Sequence, residues 1–395
     1  MATSAPDLLV SAPLSPPRLR IVVVTETYPP EVNGVALTVG RMVAGLRERG
    51  HEVSVVRPRR DDGAADPATQ WVPGLPVPFY PEVRLGLPAP RALQRLLQPR
   101  PPDAMYVATE GLLGRSAVAF ARRHRIPVLT GFHTNFHAYS RHYGVGFLSR
   151  AIYGYLRRLH NRADGTLVPT AELREVLEAD GFHNVHVWGR GVDAELFQPA
   201  RRSESLRRDW GVGPEGRAVL YVGRLAAEKD LPLAIRAFRA MQEADPALRF
   251  VLVGDGPLHR RLQREHPDLL FCGARRGTGL AEHYASADLF LFASRTETYG
   301  NVVPEAMASG LAVVAFDYAA PRDLITSDRD GLLVPFGDEE AFIDAAVALA
   351  AVPERGARLG GAARERALQR DWPGLMSRLE VLLRGTRARQ QGVAS

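Results

Sequence analysis

Val219-Leu-Tyr-Val-Gly-Arg-Leu-Ala-Ala-Glu-Lys-Asp230 is an apolar run that breaks on a glycine and yields to a helix start, the pattern that opens a βα unit. The pattern has already occurred once. Ile21-Val-Val-Val24 is an all-apolar strand, a loop with Pro29-Pro30 and Asn33-Gly34 follows, and an amphipathic helix is predicted from Val35 to Arg49. Gly50 ends that helix and Glu52 to Val56 reads as the next strand. Strands apolar at every position are buried on both faces, which argues for parallel sheet.

Working outward, strands are predicted at Ala104–Val107, Ile126–Leu129 and Gly165–Val168 in the first half. In the second they fall at 219–222, at 250–253 before Gly254-Asp-Gly-Pro257, at 289–293 before Ser294, and at 312–316 before Asp317. Helical segments separate them, so the chain reads as α/β: two Rossmann-like, doubly wound parallel-sheet domains in tandem. The expected partition is a disordered tail over 1–18, a first domain over 19–188, a linker over 189–199 and a second domain over 200–371. A helix over 372–386 is expected to pack back on the first domain, before a disordered tail over 387–395. Ligands of such sheets sit off the carboxyl ends of the strands, so the glycine turns of both halves should face one another across a cleft.

Composition agrees with two cores. The chain has 395 residues, 46% of them hydrophobic, more than one ordinary domain needs. A formal charge of +6 favours anionic partners, but basic and acidic residues are interleaved throughout, which argues against nucleic acid. A lone cysteine, Cys272, excludes a disulfide framework and suits a reducing compartment. No apolar run approaches the length of a membrane span. The expected location is cytoplasmic, at the inner face of the membrane if membrane contact occurs.

Among 50 basic side chains Lys229 is the sole lysine. In a chain that has turned its other cations into arginine, a retained lysine points to a compact charge suited to a phosphate oxygen. Arg224 lies five residues before it in the same turn. A second pattern is Ser294-Arg-Thr-Glu297-Thr-Tyr299-Gly300-Asn-Val302-Val-Pro304-Glu305. Here a strand end turns at Gly300 into a helix starting near Asn301, with Pro304 in the first turn, where a missing N–H costs nothing. That helix start favours an anion. Glu297 and Glu305 flank it and are read as acceptors for hydroxyl groups, since a phosphate would repel them.

Gly131-Phe-His133-Thr-Asn135-Phe-His137-Ala-Tyr139 follows the strand predicted to end at Leu129. His133 and His137 lack the cysteine or HExxH context of a zinc site, so no metal is expected. Asp328-Arg-Asp330 precedes Gly331 and an apolar run, and is read as a turn rather than a metal motif. Phe147 to His160 mixes aromatic and arginine residues at helical spacing. Two readings stay open for it, contact with an anionic lipid surface and core packing with a solvated basic edge.

Gly223-Arg-Leu-x3-Lys229, the Glu297 and Glu305 pair and the Asn33-Gly34 loop together resemble the retaining glycosyltransferases of family 4, which have the GT-B fold; the resemblance runs from about Arg18 to Arg384. It implies that Arg224 and Lys229 hold the donor diphosphate, Glu297 contacts the transferred sugar and Glu305 binds the ribose. It also implies that Gly34 lets a backbone loop approach the phosphates, and that His133 lies beside the reacting sugar, for orientation or proton handling; a packed histidine is the alternative. Asn33, Gly223, Gly254, Tyr299, Gly300, Asn301 and Val302 complete the expected donor site. Asn135, His137 and Tyr139 are the acceptor-side candidates.

The implied activity is transfer of a hexose from a nucleoside diphosphate sugar, GDP-mannose ahead of a UDP-hexose, to an acceptor hydroxyl on a lipid or glycan. It would proceed with retention and without metal or cofactor. Two departures from the family pattern stand out. In the loop expected after the strand at 312–316, Ala319-Ala-Pro-Arg-Asp323 replaces paired glycines and a glutamate, and puts donor-sugar contacts in question. Arg190-Gly-Val-Asp193 replaces Asn-Gly-Val-Asp, a change expected not to touch chemistry. The rival readings are a nucleotide-sugar epimerase of the same fold, a phosphorylase with Lys229 as a pyridoxal Schiff base, and a non-enzymatic nucleic-acid-binding protein.

Overall fold

The structure, a computed structural model, describes residues 17–31, 33–59, 66–77, 80–133 and 146–392. The first half forms a seven-stranded sheet from β1 (Arg20–Val24), β2 (Glu52–Pro58), β3 (Thr69–Val72), β6 (Ala104–Val107), β7 (Val128–Gly131), β8 (Gly165–Val168) and β9 (Val185–Val187). Between them lies an antiparallel pair, β4 (Gly74–Val77) and β5 (Tyr80–Gly86). The second half forms a six-stranded sheet from β10 (Ala218–Val222), β11 (Arg249–Val253), β12 (Leu270–Gly273), β13 (Leu289–Phe292), β14 (Ala312–Phe316) and β15 (Leu332–Val334).

The orders are β3-β2-β1-β6-β7-β8-β9 and β12-β11-β10-β13-β14-β15, with every neighbouring pair parallel. In each sheet the chain builds outward on one side of the first strand and then returns to build on the other. Loops after β1 and β6, and after β10 and β13, therefore part company and leave a crevice.

The apolar runs are buried for the reason their sequence gives. Ile21 to Val24 and Val219 to Tyr221 are at most 2% exposed, because helices cover both faces of each sheet. Fully burying each such side chain contributes about 1.5–3 kcal/mol. On one face of the first sheet, Val39, Met42 and Leu46 of the helix Gly34–Glu48 share a core with Leu375, Met376, Leu379 and Leu383. Those last four come from the terminal helix Trp372–Gly392, so the end of the chain packs on the domain with which it began. Trp188 Nε1 donates to the Leu375 carbonyl at 3.0 Å and fixes the crossing.

Two local expectations need correction. The strand predicted at 126–129 begins at Val128, since Pro127 has no N–H for a central ladder. Ala319 to Asp323 is not a loop but lies in a short helix, Ala319–Leu324. Cys272 sits partly buried in the edge strand β12.

Candidate functional site

The crevice of the second sheet is built from two loops. The first follows β10, where Gly223 turns the chain and Tyr221 Oη donates to the Arg224 carbonyl at 3.0 Å. Gly254 closes against this turn: a Cβ there would stand 1.8 Å from the Gly223 carbonyl oxygen, and its φ is +147°. Only glycine permits two backbones to meet so closely. The turn then presents Arg224, 53% exposed and 3.7 Å from Glu228 Oε1, and the partly buried Lys229.

The second loop follows β13. Thr296 Oγ1 donates to the Glu228 carbonyl at 2.9 Å, and Lys229 Nζ donates to Glu297 Oε1, so two contacts stitch the loops together across the crevice. Tyr318 Oη donates to the Glu297 carbonyl at 2.9 Å. Gly300, at φ +97°, turns the chain where a Cβ would lie 2.9 Å from the Phe292 ring, and the helix Val302–Ala308 follows. Asn301 gives that helix no side-chain cap. Glu305 in its first turn is partly buried and accepts from Tyr284 Oη at 2.9 Å. Burial pushes the Glu305 carboxyl up to about 7, against the lowering effect of that hydrogen bond.

The first domain brings its own loop to this place. A Cβ on Gly34 would stand 3.5 Å from Asn301 Nδ2, so the Asn33-Gly34 corner faces the start of the helix Val302–Ala308. Asn33 itself caps the helix Gly34–Glu48, its side chain accepting from Ala36 N at 2.8 Å while Nδ2 donates to Thr27 Oγ1 at 2.7 Å. Such a cap contributes about 1 kcal/mol and holds the corner in place.

His133 is 7% exposed at the end of β7 and both its ring nitrogens are engaged. Arg190 Nη2 lies 2.8 Å from Nδ1 and Tyr106 Oη lies 2.7 Å from Nε2. Burial, then the Arg190 cation, then His160, hold the imidazole well below its ordinary pKa. A guanidinium only donates, so Nδ1 accepts, the proton sits on Nε2, and the ring is neutral. Arg190, 6% exposed, stands over the Trp188 ring, while its carbonyl accepts from Tyr299 Oη at 3.3 Å. Arg190, expected to lie apart from the chemistry, reaches His133 with its guanidinium. Nothing in the sequence marked Tyr106, Tyr221 or Tyr284; for Arg190 the signal was the departure from asparagine.

Arg224, Lys229, Glu297, Tyr299, Gly300, Asn301, Val302 and Glu305 therefore gather with Gly34, Gly223 and Gly254 around one crevice. Asn135, His137 and Tyr139 lie outside the described residues. Among the described residues no group of three or more His, Cys, Asp or Glu is placed to hold a metal ion. Asp330 accepts from Thr326 N at 2.6 Å and closes a turn. In the helix Gly146–His160, Leu156 and Leu159 are buried while Arg150, Arg157 and Arg158 are exposed. Arg115, Arg157, Arg158 and Arg162 line a surface pocket of about 570 Å³ beside it. No helix among the described residues is long and apolar enough to cross a membrane.

Known proteins resemble this chain. The family model "Glycosyl transferases group 1" matches residues 216–351 and "Glycosyltransferase Family 4" matches residues 32–196. A GDP-mannose-dependent alpha-mannosyltransferase of Mycobacterium tuberculosis (strain CDC 1551 / Oshkosh) is 40% identical over 364 residues, covering 90% of this chain and 93% of its own. A GDP-mannose-dependent alpha-(1-6)-phosphatidylinositol dimannoside mannosyltransferase of Mycobacterium tuberculosis (strain ATCC 25177 / H37Ra) is 28% identical, covering 78% of this chain and 82% of its own. Among solved structures, sucrose-phosphate synthase from Thermosynechococcus elongatus superposes with a TM-score of 0.76 at 19% identity, over 96% of this chain and 100% of that one. This last likeness establishes the two-domain GT-B architecture.

Proposed function

Because the chain belongs to glycosyltransferase family 4, we propose that GDP-mannose is its donor and a hydroxyl on a lipid or glycan its acceptor. The chain is a hexosyltransferase that uses a nucleoside diphosphate sugar. These relatives are mannosyltransferases, and the epimerase reading receives no support from them. The choice of GDP-mannose rests on the first relative's name, and that of a lipid or glycan acceptor on the second's.

The observation that carries the site assignment is the meeting of Lys229 and Glu297 at the switch point of the second sheet. Departure of a nucleoside diphosphate leaves negative charge on its phosphates and an oxocarbenium-like sugar. Arg224 and Lys229 neutralise the first, and removing one pre-set partner of this kind costs about 10²–10³ in rate. Glu297, on the opposite loop, accepts from a sugar hydroxyl, and Glu305 from the ribose. Gly34 allows the first domain's backbone to approach the phosphates. The acceptor hydroxyl attacks from the face the diphosphate leaves, which retains configuration, and the departing phosphate takes its proton. No metal or cofactor is required in this scheme. His133, neutral and with both ring nitrogens taken by Arg190 and Tyr106, orients the sugar by packing of its ring rather than by relaying a proton.

The acceptor binds on the first domain (19–188) and the donor on the second (200–371). The exposed arginines around the helix Gly146–His160 supply a basic face for an anionic membrane surface, at about 1 kcal/mol per residue near it. The proposed location is the cytoplasm, at the membrane's inner face. A thermal-shift panel of GDP, UDP, ADP and their sugars tests the donor. GDP and GDP-mannose should raise the melting temperature strongly, since a ligand at a hundredfold its Kd adds about 2.7 kcal/mol. A larger shift with UDP-glucose overturns the mannose assignment. Failure to sediment with anionic vesicles overturns the membrane contact.

A further inference from the structure

Arg190 is a buried cation that meets an imidazole and a tryptophan ring, and among the described residues no carboxylate lies within salt-bridge distance of it. Burying a charge without a counter-charge is costly, and such a group persists where it does something else. Its position shows what. The side chain reaches across from the inter-domain turn to His133 at the end of β7, while its carbonyl receives the hydroxyl of Tyr299 from the donor loop. One residue thus touches the first domain's histidine and the second domain's sugar loop.

We propose that Arg190 is the positioning residue of the transfer site: it fixes His133 as the neutral, Nε2-protonated tautomer and registers that ring against the donor loop through Tyr299. The inference rests on the assignment of His133 to the sugar site made above. The hydrogen-bond directions follow from chemistry. Arg190 donates to Nδ1, which leaves Nε2 as the N–H that donates to Tyr106 Oη. Were Tyr106 also to donate, both nitrogens would be acceptors, which a neutral imidazole cannot offer. The described charged or titratable groups facing this ring are Tyr106 from β6, His160 from the helix Gly146–His160 and Arg190 from the turn. Glu110 acts on Tyr106 from the loop after β6, and Tyr299 faces Arg190. With Arg190 gone, Nδ1 loses its donor, and either nitrogen can carry the proton.

The test compares wild type with Arg190→Met, Arg190→Lys and Tyr106→Phe, all in the full chain. Isotope-labelled histidine is observed by long-range proton–nitrogen spectra from about pH 5.5 to 8, the range that brackets an ordinary imidazole. Transfer is assayed over the same range. In wild type the ring assigned to His133 should keep a bare Nδ1 throughout, with no acid limb in kcat. In Arg190→Met the tautomers should mix and the ring's midpoint move upward. The kcat should then fall at least about tenfold more at the acid end than at the basic end, with the donor KM changed less than about threefold. Arg190→Lys, which still donates one N–H, should hold the wild-type tautomer. Tyr106→Phe should hold it too, which keeps the idea testable if the methionine variant melts early. An unchanged tautomer and a flat pH profile in Arg190→Met overturn the proposal, as does a switch of tautomer in Tyr106→Phe. A fully active His133→Ala would instead remove His133 from the sugar site while leaving the tautomer result intact, so the two failures are told apart.

Discussion

Lys229 donates its ammonium to Glu297, a residue 68 positions along the chain, and the bond joins the two loops that flank the switch point of the second sheet. In the proposed mechanism the two take separate tasks once a nucleoside diphosphate sugar enters: its phosphates would compete with Glu297 for the ammonium, and a sugar hydroxyl with Lys229 for the carboxylate. The pair keeps both groups poised and mutually neutralised in a partly buried crevice, where an unmatched charge would be costly.

That division of labour separates two variants. Lys229→Ala should lower transfer by about 10²–10³ and also weaken GDP itself, because its phosphate partner is gone. Glu297→Gln should lower kcat at least about tenfold yet leave GDP affinity within about threefold, because GDP carries no sugar. Calorimetric titration with GDP beside a steady-state transfer assay reads both.

Glu305 gives a pH dependence with a definite sign. Its carboxyl is raised from an ordinary 4.5 to about 7 by burial, so between those values the folded state holds a proton that the unfolded state has released. Stability from this group is therefore full below about 4.5 and is lost as pH rises through 7. Glu305→Gln, which still accepts from Tyr284, should flatten part of that decline in melting temperature. Donor affinity in wild type should improve as pH rises through about 7, since the carboxylate is the better acceptor for ribose hydroxyls.

Gly254→Ala tests the backbone contact under the phosphate turn. With 1.8 Å between the new Cβ and the Gly223 oxygen, one strand end must move. The expected loss is about 1–3 kcal/mol in chemical denaturation, with a larger proportional loss of GDP binding because Arg224 and Lys229 hang from the displaced turn.

Leu379→Ala probes the returning helix. Leu379 is fully buried in the core cluster that also holds Ile21, Met42 and Trp188, so its truncation should cost about 2–5 kcal/mol. GDP bound on the second domain should be little affected, which calorimetry on the folded variant checks.

Much of this was legible in the chain. Runs such as Ile21–Val24 and Val219–Val222, each closed by a turn rich in glycine or proline, carry the burial and the parallel sheet with them. The solitary lysine and the spacing of Glu297 and Glu305 pointed to two loops that the fold does bring together. What was not legible depends on distance in sequence or on burial. The pairing of Glu305 with Tyr284, the approach of Gly34 to Asn301 and the reach of Arg190 to His133 join segments that only the fold brings together. Ala319–Leu324 read as a loop because its helix is short and begins with φ +54° at Ala319, where Glu172 of the first domain accepts from its N–H at 3.2 Å. Asn33 read as a donor-site residue, and its side chain also caps the helix that begins at Gly34, a role its spacing did not announce.

The most direct measurement is a crystal structure of the complex with GDP-mannose. The account predicts that Lys229 Nζ leaves Glu297 or shares itself with the phosphates, so that it and the Arg224 guanidinium each lie about 3 Å from pyrophosphate oxygens, with Glu297 turned to a mannose hydroxyl. A bound donor whose pyrophosphate lies away from both cations, with Lys229 still paired only to Glu297, would contradict it.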